Sequence, residues 1–201
     1  DPAHPFFEVQ RRRFERAVAE VEAVGIPVRA RHAANSAALL REPAVWYDWV
    51  RPGLLLYGVA PPPLAAPIPL RPVLSLHSRV VAVKGVRPGE GIGYGLRSAA
   101  AEPRTIAVVP AGYADGLDTR LSGRFAVLVR GRRAPIVGAV SMDMLTIDVT
   151  ATPDVQPGDE VVILGEQGGD RLDVVEMAAA IGTIPYEILC RLGSRIERVH
   201  V

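Results

Sequence analysis

Between Val59 and Pro72 the chain carries Pro61-Pro62-Pro63, Pro67, Pro69 and Pro72, and neither a helix nor an interior strand can run through such a stretch. Each proline ring fixes φ and removes a backbone N–H, so the segment is stiff, extended and poor in sheet donors. It separates two parts of unlike pattern, with helical periodicity before it and alternating, strand-like runs after it. We therefore place a domain boundary here, dividing 1–61 from 62–201. A chain of 201 residues is long enough for one large or two small cores.

In the first part Phe7, Phe14, Val18, Val21 and Val24 recur at helical spacing, which predicts an amphipathic helix from about Pro5 to Val24, ended by Gly25. Arg11-Arg12-Arg13 fall on its solvated face. Ile26 to Arg31 reads as a short strand, Asn35 or Ser36 as the N-cap of a short helix through Leu40, and Gly53 to Tyr57 as a second strand. Helix, strand, helix, strand is the rhythm of a parallel α/β sheet. Four elements are too few to close one, so this part reads as the end of a larger α/β domain whose strand edges need partners.

The second part predicts a many-stranded β domain with barrel-like curvature. Strands are expected within Val73–Val86 and over Thr105–Val109, Phe125–Val129, Pro135–Val140, Met144–Val149 and Val161–Leu164. The turns between them use Arg87-Pro88-Gly89-Glu90, Gly112, Gly123, Gly131 and Pro157-Gly158-Asp159-Glu160. Asp173 with Glu176 starts a helix that Gly182 closes. Pro185 opens another, and Ile196 to Val201 is expected to return as a last strand.

Charge narrows the partners. With 23 basic and 22 acidic side chains, nothing points to nucleic acid or a membrane surface, and no apolar run is long enough to span a bilayer. Cys190 is the only cysteine, which excludes an internal disulfide and fits a reducing, cytoplasmic compartment. Lys84 is the only lysine, which matters for cofactor chemistry that needs an amine. The chain starts Asp1-Pro2 without Met, so the natural start is expected to lie further upstream.

The polar residues His32, Asn35, Ser36 and Arg51 stand beside the apolar run Leu54-Leu55-Leu56. Buried polar groups need partners, which are either one another or an anionic ligand. Tyr57, Tyr94, Tyr113 and Tyr186 sit beside Gly or Pro, where small neighbours let a ligand approach. On pattern alone Tyr94 is either an aromatic at a sheet edge or a ligand-facing phenol. As a base it would need a nearby cation, because a free phenol titrates near pH ~10. No His, Cys or Asp spacing reads as a metal site, and neither a nucleotide loop nor a nucleophile elbow is present.

Six ordered motifs then carry a resemblance over essentially the whole chain. His32-Ala-Ala-Asn-Ser36, Arg51-Pro-Gly-Leu-Leu-Leu-Tyr-Gly58, Gly93-Tyr-Gly95, Gly112-Tyr-Ala-Asp-Gly116, Ser141-Met-Asp143 and Thr183-Ile-Pro-Tyr-Glu187 resemble the C-terminal half of bacterial alanine racemase. The resemblance implies a fold-type III pyridoxal-phosphate enzyme, an isomerase with an N-terminal (β/α)8 barrel and a C-terminal β domain, active as a head-to-tail homodimer. Such an enzyme would make D-alanine for cell-wall peptidoglycan. Residues 1–61 would be the last part of that barrel.

By position, Ser36, Gly53, Leu54 and Tyr186 match the family's phosphate ligands. Arg51 matches the arginine that faces the pyridine nitrogen, with His32 behind it. Tyr94 matches the base for L-alanine, contributed across the dimer interface. Met142 matches a contact to the substrate carboxylate, and Tyr113 an inner gate of the substrate corridor. The family's cofactor-bearing lysine lies near the start of the barrel, and Lys84 is outside the matching motif, so the chain alone is expected to be inactive. Thr119 and Ala139 stand where many relatives have arginines, which bears on the corridor and not on the reaction. Two other readings remain from sequence: a non-catalytic or regulatory racemase-like module, and a racemase of the same fold acting on serine or a broader range of amino acids.

Overall fold

The structure is a computed structural model that describes residues 4–96 and 98–200. The chain divides into two compact units after Val73, at the end of the proline-rich stretch.

The first unit begins with α1 (Phe6–Ala23), followed by β1 (His32–Asn35), α2 (Ser36–Arg41) and β2 (Trp49–Arg51). The expected first helix is present. Its charged face is laced by Arg11 to Glu8 and Glu15 and by Arg16 to Glu20, surface pairs that add little to stability. No residue of α1 is buried, so its apolar stripe is not packed in a core among the described residues.

Two expectations in this unit are corrected. Ile26–Arg31 forms no strand; Pro27 interrupts its donors, and pairing starts only at His32. Gly53–Tyr57 is also not a strand, because Leu54–Tyr57 coil into a 3₁₀ turn closed by Gly58 in the left-handed region. A short apolar run carries no periodicity that separates the two outcomes. The second strand is instead β2, parallel to β1 with His32 opposite Trp49 and Asn35 opposite Arg51. Asn35 caps α2 by accepting from the Ala38 N–H at 3.0 Å, as its residue type favours.

In the second unit β3 (Leu76–Arg79) and β4 (Ala82–Val86) are followed by a small hairpin, β5 (Gly91–Ile92) and β6 (Ser98–Ala99). Then come β7 (Arg104–Val109), β8 (Ala126–Val129), β9 (Arg132–Val137), β10 (Leu145–Asp148), β11 (Glu160–Gln167) and β12 (Asp170–Leu172). Apart from the hairpin these strands form one antiparallel sheet of eight, in the order β12-β11-β8-β9-β10-β7-β4, with β3 also on β11. The unit is β-rich as expected, but the sheet does not close into a barrel. β3 and β4 are consecutive in the chain yet pair at opposite ends of the sheet, β3 with β11 and β4 with β7. Val80 and Val81 carry the chain between them, with the Val80 side chain buried.

The core draws on β7, β8, β10 and β11: Ala107, Val109, Val127, Leu128, Val129, Ile147, Val161 and Val162 are fully buried. Truncating one of these leucines or isoleucines to Ala costs about 2–5 kcal/mol. After the sheet come α3 (Val174–Ile181) and α4 (Pro185–Arg191). Asp173 caps α3 by accepting from the Val175 and Glu176 N–H groups, and Gly182 ends it in the left-handed region. Pro185 sits in the first turn of α4, where a missing N–H costs nothing. The last strand expected from Ile196 is absent over residues 196–200; Val201 lies outside the described residues. The sequence Arg195-Ile-Glu-Arg-Val alternates too briefly to find an edge.

Candidate functional site

The first unit holds His32, Ser36, Arg51, Gly53 and Leu54. The parallel pairing of β1 and β2 puts Arg51 opposite Asn35, and its side chain turns back along β1. Nη1 lies 2.9 Å from His32 Nδ1 and donates to the His32 carbonyl at 3.0 Å, while Nη2 reaches the Ala33 carbonyl at 3.5 Å. A guanidinium can only donate, so Nδ1 accepts and the imidazole proton sits on Nε2. Arg51 is thereby fixed in direction while keeping its charge. Both residues line an open cleft of about 1060 Å³ with Asn35, Arg41 and Phe14.

Ser36 opens α2 and is 1% exposed. Its Oγ accepts from the Gly53 N–H at 2.9 Å, with the Leu55 N–H at 3.5 Å. Gly53 and the buried Leu54 head the 3₁₀ turn, so the serine hydroxyl meets the backbone amides where that turn begins. A hydroxyl that accepts from an amide still has its own proton to donate. Serine, two amides and a fixed arginine in one small region form a set suited to an anionic ligand.

The second unit holds Tyr94, Tyr113, Met142 and Tyr186. Tyr94 stands at the tip of the β5–β6 hairpin and is 78% exposed. Its position is set from below: Ile92 is buried with Val86, Ala100, Ile106 and Val137. Sequence reading gave no strands for this hairpin, whose pairing covers only Gly91–Ala99 and Ile92–Ser98.

Two backbone contacts link the tip to the other site turns. Gly93 and Gly138 pack against each other's segments, so a Cβ at Gly138 would stand 2.7 Å from the Ile92 carbonyl oxygen and one at Gly93 would stand 3.0 Å from the Ala139 nitrogen. Further along, a Cβ at Gly112 would lie 2.4 Å from the carbonyl oxygens of Ser141 and Met142. The same approach lets the Tyr113 N–H donate to Ser141 O at 3.0 Å and the Ala114 N–H to Met142 O at 2.8 Å. Tyr94, Met142 and Tyr113 thus sit on three adjoining turns, all three side chains exposed.

Tyr186, on the first turn of α4, joins this row through charge. Arg191 pairs with Asp118 and with Glu187, and Glu187 accepts from the Thr183 hydroxyl. Asp118 also takes Arg120, at 2.7 Å, and Arg120 donates to the carbonyl of Ile181 at 3.0 Å. Hydrogen bonds from Arg120, reinforced by those from Arg191, hold the Asp118 carboxyl well below the usual carboxylate range. The segment from Ile181 to Tyr186 is therefore pinned at both ends to the stretch just after Tyr113.

Asp118, Arg120 and Arg191 were not singled out in the sequence. The available signal was Asp118 followed by Thr119-Arg120 after a glycine turn, an N-cap pattern that the structure realises with Asp118 accepting from the Arg120 N–H at 2.8 Å. The two departures noted above now have positions. Thr119 begins a 3₁₀ turn, and Ala139 packs its backbone against Gly93. Lys84 lies exposed on β4.

Comparison with known proteins bears on both units. Residues 73–200 match the family "Alanine racemase, C-terminal domain" and residues 1–61 match "Alanine racemase, N-terminal domain". The alanine racemase of Nostoc sp. is 43% identical over 201 residues, covering 100% of this chain and 52% of the relative. The solved alanine racemase from D-cycloserine producing Streptomyces lavendulae is 38% identical with a TM-score of 0.95, over 100% of this chain and 53% of that one. The Bartonella henselae alanine racemase, solved with covalently bound pyridoxal phosphate, is 32% identical with a TM-score of 0.88, over 100% of this chain and 54% of that one. The chain spans about half the length of the curated relatives it matches. With 128 of its residues inside one domain family and most of the rest inside the companion family, the chain belongs to the alanine racemase family.

Proposed function

We propose that this chain forms the C-terminal half of an alanine racemase, interconverting L- and D-alanine with pyridoxal phosphate. D-Alanine would serve peptidoglycan synthesis in the cytoplasm, and the working form would be a homodimer. Residues 1–61 would complete a (β/α)8 barrel and residues 62–201 would form the β domain. The observation that carries the reading is Arg51, held by His32 on the strand beside the Ser36–Gly53 contact.

The residues fit that cofactor. Ser36, Gly53 and Leu54 would hold its phosphate, the serine donating its free proton, and Tyr186, in the second unit, matches a further phosphate ligand by its motif alone. Arg51 would face the ring nitrogen. When bound, the cofactor supplies an electron sink that acidifies the Cα–H of the amino acid. Arg51 does not readily release a proton, so facing the ring nitrogen it would leave that nitrogen unprotonated and temper the sink, favouring return of the proton at Cα.

Tyr94 would take or give the proton on one face of Cα. Met142 would orient the substrate carboxylate through its backbone amide, and Tyr113 would narrow the approach. Racemisation needs a second group on the opposite face. The family's lysine matches no position here, so the chain alone should not turn over.

The test compares this chain alone with the chain joined to the barrel half of a relative such as the Nostoc enzyme, each with pyridoxal phosphate and L-alanine. Activity only in the joined protein, and lost in Tyr94→Phe, is the expected result. Activity of the chain alone, or undiminished activity in Tyr94→Phe, would refute the reading.

A further inference from the structure

We infer that Gly138 is a positioning residue for Tyr94, acting through the backbone of Ile92. This rests on the racemase reading above and extends it to a residue outside the six motifs.

Gly138 and Gly93 have φ of +69° and +72°, and their segments touch between the two glycines. The space is closed from both sides. A side chain at Gly138 would meet the Ile92 carbonyl oxygen at 2.7 Å, its carbonyl carbon at 3.1 Å and its Cγ2 at 3.1 Å. Ile92 cannot turn its side chain aside, because that side chain is 3% exposed in the cluster with Val86, Ala100, Ile106 and Val137. An atom added at Gly138 therefore pushes on the Ile92 backbone and displaces β5 together with the tip it carries.

The tip is the part free to respond. Tyr94 follows Ile92 by two residues and is 78% exposed, so within its own chain no side-chain packing returns it to place. Its seat is the glycine contact beneath it. The same loop continues from Gly138 through Ala139 to Met142, so the contact also sets the distance between the proton-transferring phenol and the proposed carboxylate contact. Catalytic geometry is sensitive on this scale: misplacement by about 1 Å can cost on the order of 10²-fold in rate.

A left-handed glycine is strained by any substitution, whatever it touches, so the control must share the strain without the contact. Gly169, in the β11–β12 turn, has φ of +88° and nothing within 4 Å of an added Cβ. The experiment uses the chain joined to a relative's barrel half and loaded with pyridoxal phosphate, comparing Gly138→Ala, Gly169→Ala and Tyr94→Phe.

Two reactions are followed: racemisation, and exchange of the α-hydrogen of D-alanine with deuterated solvent without inversion. In the second, the Cα–H bond breaks toward the base on the face away from Tyr94, and a deuteron returns from that base to the same face. Amide hydrogen exchange over residues 91–99 and over β10 is measured on the same proteins.

Gly138→Ala should lower racemisation by about tenfold or more while sparing D-alanine exchange, as Tyr94→Phe does. It should speed amide exchange over 91–99 and leave β10 unchanged. Gly169→Ala should keep both reactions within about twofold. The inference is overturned if Gly138→Ala matches Gly169→Ala, or if it loses both reactions together with protection of β10, which would mark a purely structural role. If Tyr94→Phe keeps full racemisation, it is the racemase role of Tyr94 that fails, and the amide exchange then reports on the hairpin seat by itself.

Discussion

One nitrogen of Arg51, Nη1, is shared between two acceptors of the same residue, the Nδ1 and the carbonyl oxygen of His32. The pairing fixes both the direction of the guanidinium and the tautomer of the imidazole. His32→Leu should therefore leave the charge of Arg51 intact but free its orientation, lowering kcat of the joined protein by roughly tenfold, the order expected for loosened positioning. His32→Gln, which keeps an acceptor, should recover part of that loss. Steady-state kinetics of the two variants checks this.

Ser36→Ala removes the acceptor of the Gly53 N–H in a site where the serine is 1% exposed. A buried donor left without a partner costs about 1–3 kcal/mol. The unfolding midpoint should fall accordingly. Titration of pyridoxal phosphate into the joined protein should show weaker binding at the same time.

Gly112→Ala would place a methyl group 2.4 Å from two carbonyl oxygens, and backbone cannot step aside as a side chain end can. The hydrogen bonds from Tyr113 and Ala114 to Ser141 and Met142 should break together. The expected outcome is a higher KM for alanine along with faster amide exchange at residues 113 and 114. An unchanged KM would argue against a substrate-facing role for these turns.

Asp118, with its side chain 8% exposed, carries a pH signature. Its folded carboxyl titrates below the usual range because Arg120, and then Arg191, hydrogen-bond the charged form. A depressed folded value means that the stabilisation is fully present above the unfolded value of about 3.9 and fades as pH falls below it. Asp118→Asn should cost about 2 kcal/mol at pH 7, with the difference from the parent shrinking below about pH 4. Thermal melts of the two proteins between pH 3 and 7 decide it.

The sequence was legible where local chemistry and tertiary need agree. Asn35 caps α2, Asp173 and Gly182 bound α3, and Pro185 opens α4, each because the residue type satisfies a helix end that any environment would leave wanting. Strands β7, β8 and β10 fell close to their expected places because their apolar runs serve a core on the sheet. Legibility failed where a short segment depends on distant partners. Leu54–Tyr57 takes the turn that lets Ser36 meet Gly53, and the β5–β6 hairpin is anchored where Ile92 packs with Ile106 and Val137 from other strands. Of the candidate site, the residue types were readable from motifs. The glycine contacts and the Asp118 network that hold them were not, since nothing local to Gly138 or Arg191 names its partner.

The course of β3 also has a bearing on synthesis. This strand emerges early, at Leu76–Arg79, but its ladder partner spans Glu160–Leu164, so the ribosome must add more than eighty residues before β3 has anything to bond. Meanwhile β7 to β10 can pair among neighbours as they appear, since those contacts are comparatively local. The second unit should assemble from its middle outward, with β3 waiting as an open edge until β11 arrives. During that interval the nascent chain is most exposed to wrong pairing, and a pause in translation anywhere between β3 and residue 160 would lengthen the exposure.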